Sequence, residues 1–117
     1  MNLREIAKQL SLTPVAAEHK IHRQVTGCYA GDLLSCAMKG AHRGDLWLTV
    51  QSHANIVAVA VLLDLPGIVI TEGAMVEQGT LQRANAEGIV LLTTPEPTFS
   101  IAGRLWELGL RSSGRPE

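Results

Sequence analysis

The sequence predicts an α/β fold: a three-layer domain built on a mostly parallel sheet with helices on both faces. Three observations carry that expectation. Short apolar runs with strand character (46–50, 67–71, 89–92) alternate with helical patterns, so each strand can reach its neighbour through a crossover. The chain is 46% hydrophobic but holds only two Trp, one Tyr and one Phe, so its interior must be aliphatic, as suits strands buried on both faces. A length of 117 residues allows one core and not two.

The elements follow in order. Asn2, with Glu5 three residues on, forms a capping-box pattern, and Leu3, Ile6, Ala7 and Leu10 make one helical stripe. Residues 12–17 read as a short strand. A basic, β-prone run at 23–27 (Arg23, Val25, Thr26) stops at Gly27 and reads as the next strand. After a polar turn, Asp32 opens a helix with Leu33, Leu34, Ala37 and Met38 on one face, Cys36 as core filling and Gly40 as its stop.

Strand 46–50 comes next. The apolar run 56–63 fits a buried strand or a buried helix. Residues 55–63 are assigned to a helix because strands flank them and a crossover must join those strands. Then follow strand 67–71, helix 77–87 with a sparse apolar side (Leu81, Ala84) stopped at Gly88, and strand 89–92. Thr98 caps a last helix with Ile101, Ala102, Leu105 and Leu108 inward and Gly109 at its end. Residues 1–110 thus form a single domain, and 111–117, with no apolar content, read as a disordered tail.

Two blocks carry a family resemblance. His22-Arg23-Gln24-Val25-Thr26-Gly27-Cys28 resembles the Asp-Arg-x-Thr-Gly-Gly signature of the DRTGG domain family. Arg23, Thr26 and Gly27 fit it with one extra residue before the threonine, while His22 replaces the usual aspartate and Cys28 the second glycine. Residues 44–60 resemble the second family block, a strand running into a Gln-x-His-x-Asn-Ile helix start, here Gln51, His53, Asn55 and Ile56. With 68–73 and 88–94, the resemblance covers most of residues 12–110. It is to the small stand-alone members and, more distantly, to the N-terminal domain of HPr kinase/phosphorylase. It implies that domain's fold, a regulatory role, and pairing of two copies. It also suggests association with iron-only hydrogenase and NADH-linked redox systems.

Charge and hydropathy narrow the classes. A net charge of −1 without blocks of like charge argues against nucleic acid or an anionic membrane as partner. Residues 1–10 are amphipathic and carry Glu5, unlike a signal peptide, and the longest apolar run is too short to span a bilayer, which needs about 20 residues. A cytoplasmic protein with two free thiols is the expectation.

Parallel sheets hold ligands beyond the carboxyl ends of their strands. That rule selects Thr26, Gly27 and Cys28 after the signature strand, Gln51, Ser52, His53 and Asn55 after the next, then Thr71, Glu72 and Gly73, then Thr93 and Thr94. The candidate ligand site is Thr26, Gly27, Cys28, Gln51, His53, Asn55, Glu72 and Gly73. Helix N-termini there favour an anionic group, while Glu72 asks for a donor on the same small ligand. Each residue also has a plainer role: Gly27 shapes a turn, Ser52 caps a helix, and His53 hydrogen-bonds near a helix start. Arg23 is expected to pair with Asp32 or Asp45, and Thr26 to bond backbone.

No phosphate-binding Gly-x4-Gly-Lys-Ser/Thr loop and no Gly-x-Gly-x-x-Gly fingerprint exist, and no Cys/His spacing supports a metal. No catalytic residue and no cofactor are assigned. Cys28 lies where a helix N-terminus would lower a thiol pKa, which leaves its reactivity open. Three readings follow: a non-catalytic, ligand-sensing homodimer; an adaptor docking on a redox complex; or a small enzyme using Cys28, His53 and Glu72. The missing nucleotide loop and scarce acid–base pairs put the first ahead. The apolar surface of Trp47, Val50 and helix 54–63 marks the expected dimer interface.

Overall fold

A computed structural model describes residues 1–112. The elements are α1 (Leu3–Leu10), β1 (Thr13–Ala16), a 3-10 turn at Glu18–Lys20, β2 (Gly27–Ala30), α2 (Leu34–Gly40), β3 (Asp45–Thr49), α3 (Asn55–Leu63), β4 (Gly67–Ile70), α4 (Gln78–Glu87), β5 (Val90–Thr93) and α5 (Thr98–Glu107). One five-stranded sheet runs β1-β5-β4-β3-β2, with β2 to β5 parallel and β1 antiparallel to β5. The fold is the expected α/β sandwich of three layers.

Strand order decides which helices share a face. β2 to β5 lie side by side in chain order, so right-handed crossovers put α2, α3 and α4 on the same side. There Ala37, Ile56, Val57, Ala60 and Ala84 pack on Trp47, Ile68, Ile70 and Leu91. On the other face Leu3 and Ile6 of α1 and Ile101 and Leu105 of α5 pack on Leu46, Leu48, Val69 and Leu92. The apolar run at Asn55–Leu63 is a helix because β3 and β4 are parallel neighbours, which a tight turn cannot join. The capping box of α1 is complete: Asn2 Oδ1 accepts the Glu5 N–H at 2.9 Å, and Glu5 Oε1 accepts the Asn2 N–H at 2.8 Å.

Several local expectations fail, each for a physical reason. The signature strand begins at Gly27 instead of ending there. Residues 23–26 spend their backbone groups elsewhere: Arg23 O accepts Leu3 N–H, Val25 N–H reaches Met1 O, and Thr26 N–H reaches Gly44 O. Asp32 does not open α2. Its carboxylate accepts the Thr49 hydroxyl (3.0 Å) and the Val50 N–H (2.9 Å), and the helix starts two residues later. Only Ala37 of α2 is buried; Leu33 and Met38 are exposed, and so is Cys36, which is not core filling.

Trp47, expected at an interface, is fully buried and donates its indole N–H to Gly31 O at 2.9 Å. Thr98 is the first residue of α5, after an N-cap at Pro97, and supplies no side-chain cap. Of the expected tail, Arg111 is held: its carbonyl accepts the Cys28 N–H, and its guanidinium lies 3.6 Å from the Trp106 ring centroid. The remainder, 113–117, lies outside the described residues.

Candidate functional site

The sheet register divides the expected site between two edges. Gly27 pairs with Asp45, the first residue of β3, so Thr26, Gly27 and Cys28 lie at the amino edge. Gln51, His53 and Asn55 follow the end of β3, and Glu72 and Gly73 follow the end of β4, at the carboxyl edge. Asp45 and Thr49 are four strand residues apart, roughly 13 Å at the usual rise. The structure therefore does not bring Gly27 or Cys28 to His53 and Glu72. Because β2 begins at Gly27, these residues lie a full strand length from the edge that the sequence predicts for them.

At the amino edge the signature residues clasp the fold. Arg23 pairs with Asp64 (Nη2 to Oδ1, 3.1 Å) and not with Asp32 or Asp45, while its Nη1 donates to Leu65 O at 3.4 Å. Arg43 Nε meets the same carboxylate at 3.0 Å. Thr26 N–H donates to Gly44 O at 3.0 Å, so it bonds backbone through its own backbone. Gly44 has φ +86°, and a Cβ there would collide with Thr26 Oγ1. Asp45 is buried and accepts the His42 N–H at 2.8 Å. Cys28 packs into the α1/α5 layer, where burial, with Asp45 adding to it, pushes its thiol pKa up to about 12. A thiol so protonated is inert at neutral pH.

At the carboxyl edge the polar side chains mostly hold one another. Gln51 donates its side-chain N–H to Asp32 O at 3.0 Å, and its backbone N–H goes to Thr49 Oγ1 at 3.1 Å. His53 is exposed and its Nδ1 accepts the Asn55 N–H at 3.1 Å, as expected near a helix start, while the N-cap of α3 is Ala54 and not Ser52. Ser52 instead offers its carbonyl to the Thr80 hydroxyl at 2.6 Å. Glu72, at φ +64°, accepts the Thr98 N–H on Oε2 at 2.9 Å and so occupies the N-terminus of α5 with a carboxylate.

The same edge opens into a cleft of about 380 Å³ between β1, the end of β5 and the β4–α4 loop. Val15, Ala74, Val76, Leu81 and Pro95 supply its apolar lining, and Thr13, Thr93 and Thr94 add polar side chains. Gly73, at φ +69°, is the one expected site residue that lines it. Thr13 and Val15 escaped the sequence because they sit on β1, whose place beside β5 (Thr13 opposite Thr93) no local pattern encodes. A smaller cavity of about 150 Å³ lies at β2 and α5, beside Cys28, Trp106 and Arg111. Among the described residues no group of three His, Cys, Asp or Glu could hold a metal ion, and no helix is long and apolar enough to cross a membrane.

No family model matches the sequence, and no curated protein matches it. Among solved structures, the chain is similar to the CBS and DRTGG domains of the regulatory region of Clostridium perfringens pyrophosphatase, complexed with its activator diadenosine tetraphosphate. The TM-score is 0.69 at 19% identity, over 95% of this chain and 48% of that one. The chain therefore spans about half the length of that structure, and at this identity the likeness shows the fold alone, an α/β fold of the DRTGG/CBS-like kind.

Proposed function

We propose that the chain is a non-catalytic regulatory module that senses a small ligand in the carboxyl-edge cleft and works as a homodimer. The cleft carries this reading. It lies at the edge where parallel sheets hold ligands, has the volume of a small-molecule site, and combines an apolar wall with a few hydroxyls. The shared fold supports it, since the similar structure is a regulatory region bound to an activator.

The lining supports one kind of ligand. It contains no Lys, Arg or His, so nothing in it balances a polyphosphate. The anionic group expected from the sequence has no seat at α5 either, because Glu72 already fills that helix N-terminus. An uncharged molecule with a flat apolar face and several hydrogen-bonding groups fits, of the size of one adenosine half of the activator that the pyrophosphatase region binds.

The exposed Val61 and Leu62 on the outer side of α3 support the pairing of two copies, in place of Trp47. A catalytic role for Cys28, His53 and Glu72 loses support, because Cys28 lies a strand length from the other two, its thiol pKa is raised and the Glu72 carboxylate caps a helix.

Thermal denaturation with adenosine and with diadenosine tetraphosphate tests the reading. Adenosine at about 100 times its dissociation constant should stabilise the chain by roughly 2.7 kcal/mol. Val76→Trp, which fills the cleft, should remove the shift. A shift from the tetraphosphate alone, or one unchanged in Val76→Trp, would place the ligand elsewhere.

A further inference from the structure

The carboxyl edge has a second property, independent of the cleft's ligand. Each segment that follows a parallel strand exposes one large apolar side chain: Leu33 after β2 (63% exposed), Val50 after β3 (36%), Met75 after β4 (87%) and Phe99 after β5 (88%). Four such residues, drawn from four separate segments, line one edge of a domain whose two cores are already closed by helices. Met75 and Phe99 are almost wholly exposed, and all four residues sit at the carboxyl ends of neighbouring parallel strands.

Charge defines what can cover them. The loops 31–33, 50–54, 71–77 and 94–97 carry Asp32, Glu72, Glu77 and Glu96 and contain no Lys or Arg. Among the described residues none of these carboxylates is in an ion pair; the three ion pairs found involve Asp64 twice and Glu87 once. The cations gather elsewhere, with Lys20, Arg23, Lys39 and Arg43 in segments leading into β2 and β3 at the amino edge. A second copy related by a two-fold axis would set acid against acid, because such an interface presents the same patch twice. Anionic lipid is repelled for the same reason.

The backbone here is also held for docking. Asp32 accepts the Val50 N–H and Glu72 the Thr98 N–H, so the segments after β2 and β3 are tied together and so are those after β4 and β5, while His53 accepts the Asn55 N–H within its own loop. An edge with fixed loops loses little conformational entropy on binding.

We propose that the carboxyl edge is a docking face for a partner protein presenting a basic, apolar segment, with Leu33, Val50, Met75 and Phe99 taking its apolar side chains and the surrounding carboxylates its Lys or Arg. This partner is distinct from the cleft's small ligand.

The test titrates the full chain with a short labelled peptide of leucine and lysine in helical spacing, and with the same peptide carrying glutamate for lysine, by fluorescence anisotropy. The lysine peptide should bind, with affinity falling as salt rises, and the glutamate peptide should not. Met75→Ser combined with Phe99→Ser should weaken binding at least about tenfold. Their exposure means that the melting temperature should not change, which separates lost contact from lost fold. Leu62→Ser, at the amino-edge end of α3, should bind like the parent. Equal binding of both peptides, no binding of the lysine peptide, or full affinity in the double variant would overturn the proposal. So would self-association in sedimentation that the double variant abolishes, which would assign the face to a second copy. Adenosine binding is read separately, so failure of the cleft reading leaves this outcome unaffected.

Discussion

Glu72 and Thr98 are joined across two loops: the Glu72 carboxylate, after β4, accepts the first N–H of α5 at 2.9 Å. The residue that sequence logic places in a ligand site thus serves as a helix cap supplied from another segment. It holds a left-handed backbone to do so, with φ +64°. The α5 dipole that would attract an anion is met within the chain, and the edge also carries an apolar cleft and exposed apolar residues among its carboxylates.

Glu72→Ala removes the cap without relieving the left-handed backbone. Stability should fall by about 1 kcal/mol, the scale of a lost helix cap. Urea denaturation checks this: the midpoint should drop with an unchanged slope. An unchanged midpoint would show that the cap contributes nothing.

Thr26 and Gly44 make a second test. Thr26→Ala should be close to neutral, because the bond to Gly44 comes from the backbone N–H. Gly44→Ala should lose about 2 kcal/mol, from the left-handed φ of +86° and the collision with Thr26 Oγ1. In the double variant part of that loss should return, since the hydroxyl is gone and the two sites are in contact. Full additivity of the two changes in a denaturation cycle would contradict the contact.

This fold was legible where the pattern is local and repeated. The capping box at Asn2 and Glu5, the crossover at Asn55–Leu63 and the stop at Gly88 each follow from nearby residues. The site was not legible, because its placement depends on long-range partners. Nothing near Arg23 reveals that Met1 and Leu3 will take the backbone bonds of 23–25 and so delay β2 until Gly27. That shift alone moved Thr26, Gly27 and Cys28 to the wrong edge. Likewise, the pairing of Thr13 with Thr93, which builds the cleft wall, joins residues far apart in the chain.

The two cysteines should differ in reactivity. Cys36 is exposed and should alkylate readily at pH 8, whereas Cys28, its pKa raised to about 12, should react only on unfolding. The raised pKa also sets a sign. The folded chain holds this proton more tightly than the unfolded chain, whose thiol titrates near 9.0. The contribution is therefore complete below pH 9 and is lost as pH rises toward 12. Cys28→Ser should flatten the alkaline fall in melting temperature; an unchanged fall would assign it to other groups.

Leu62→Glu tests the proposed pairing of copies. Light scattering should give twice the chain mass for the parent and the chain mass for the variant, with circular dichroism unchanged because Leu62 is 67% exposed. A parent that is monomeric at high micromolar concentration would remove the dimer from the account.

Amide chemical shifts during an adenosine titration locate the ligand on the proposed carboxyl-edge cleft or away from it. Saturable shifts are expected at Gly73, Ala74, Val76, Thr93 and Thr94, with Gly27, Cys28 and His53 unmoved. Shifts centred on Gly27 and Cys28, or none at Gly73 and Thr94 at saturating ligand, would contradict the cleft reading.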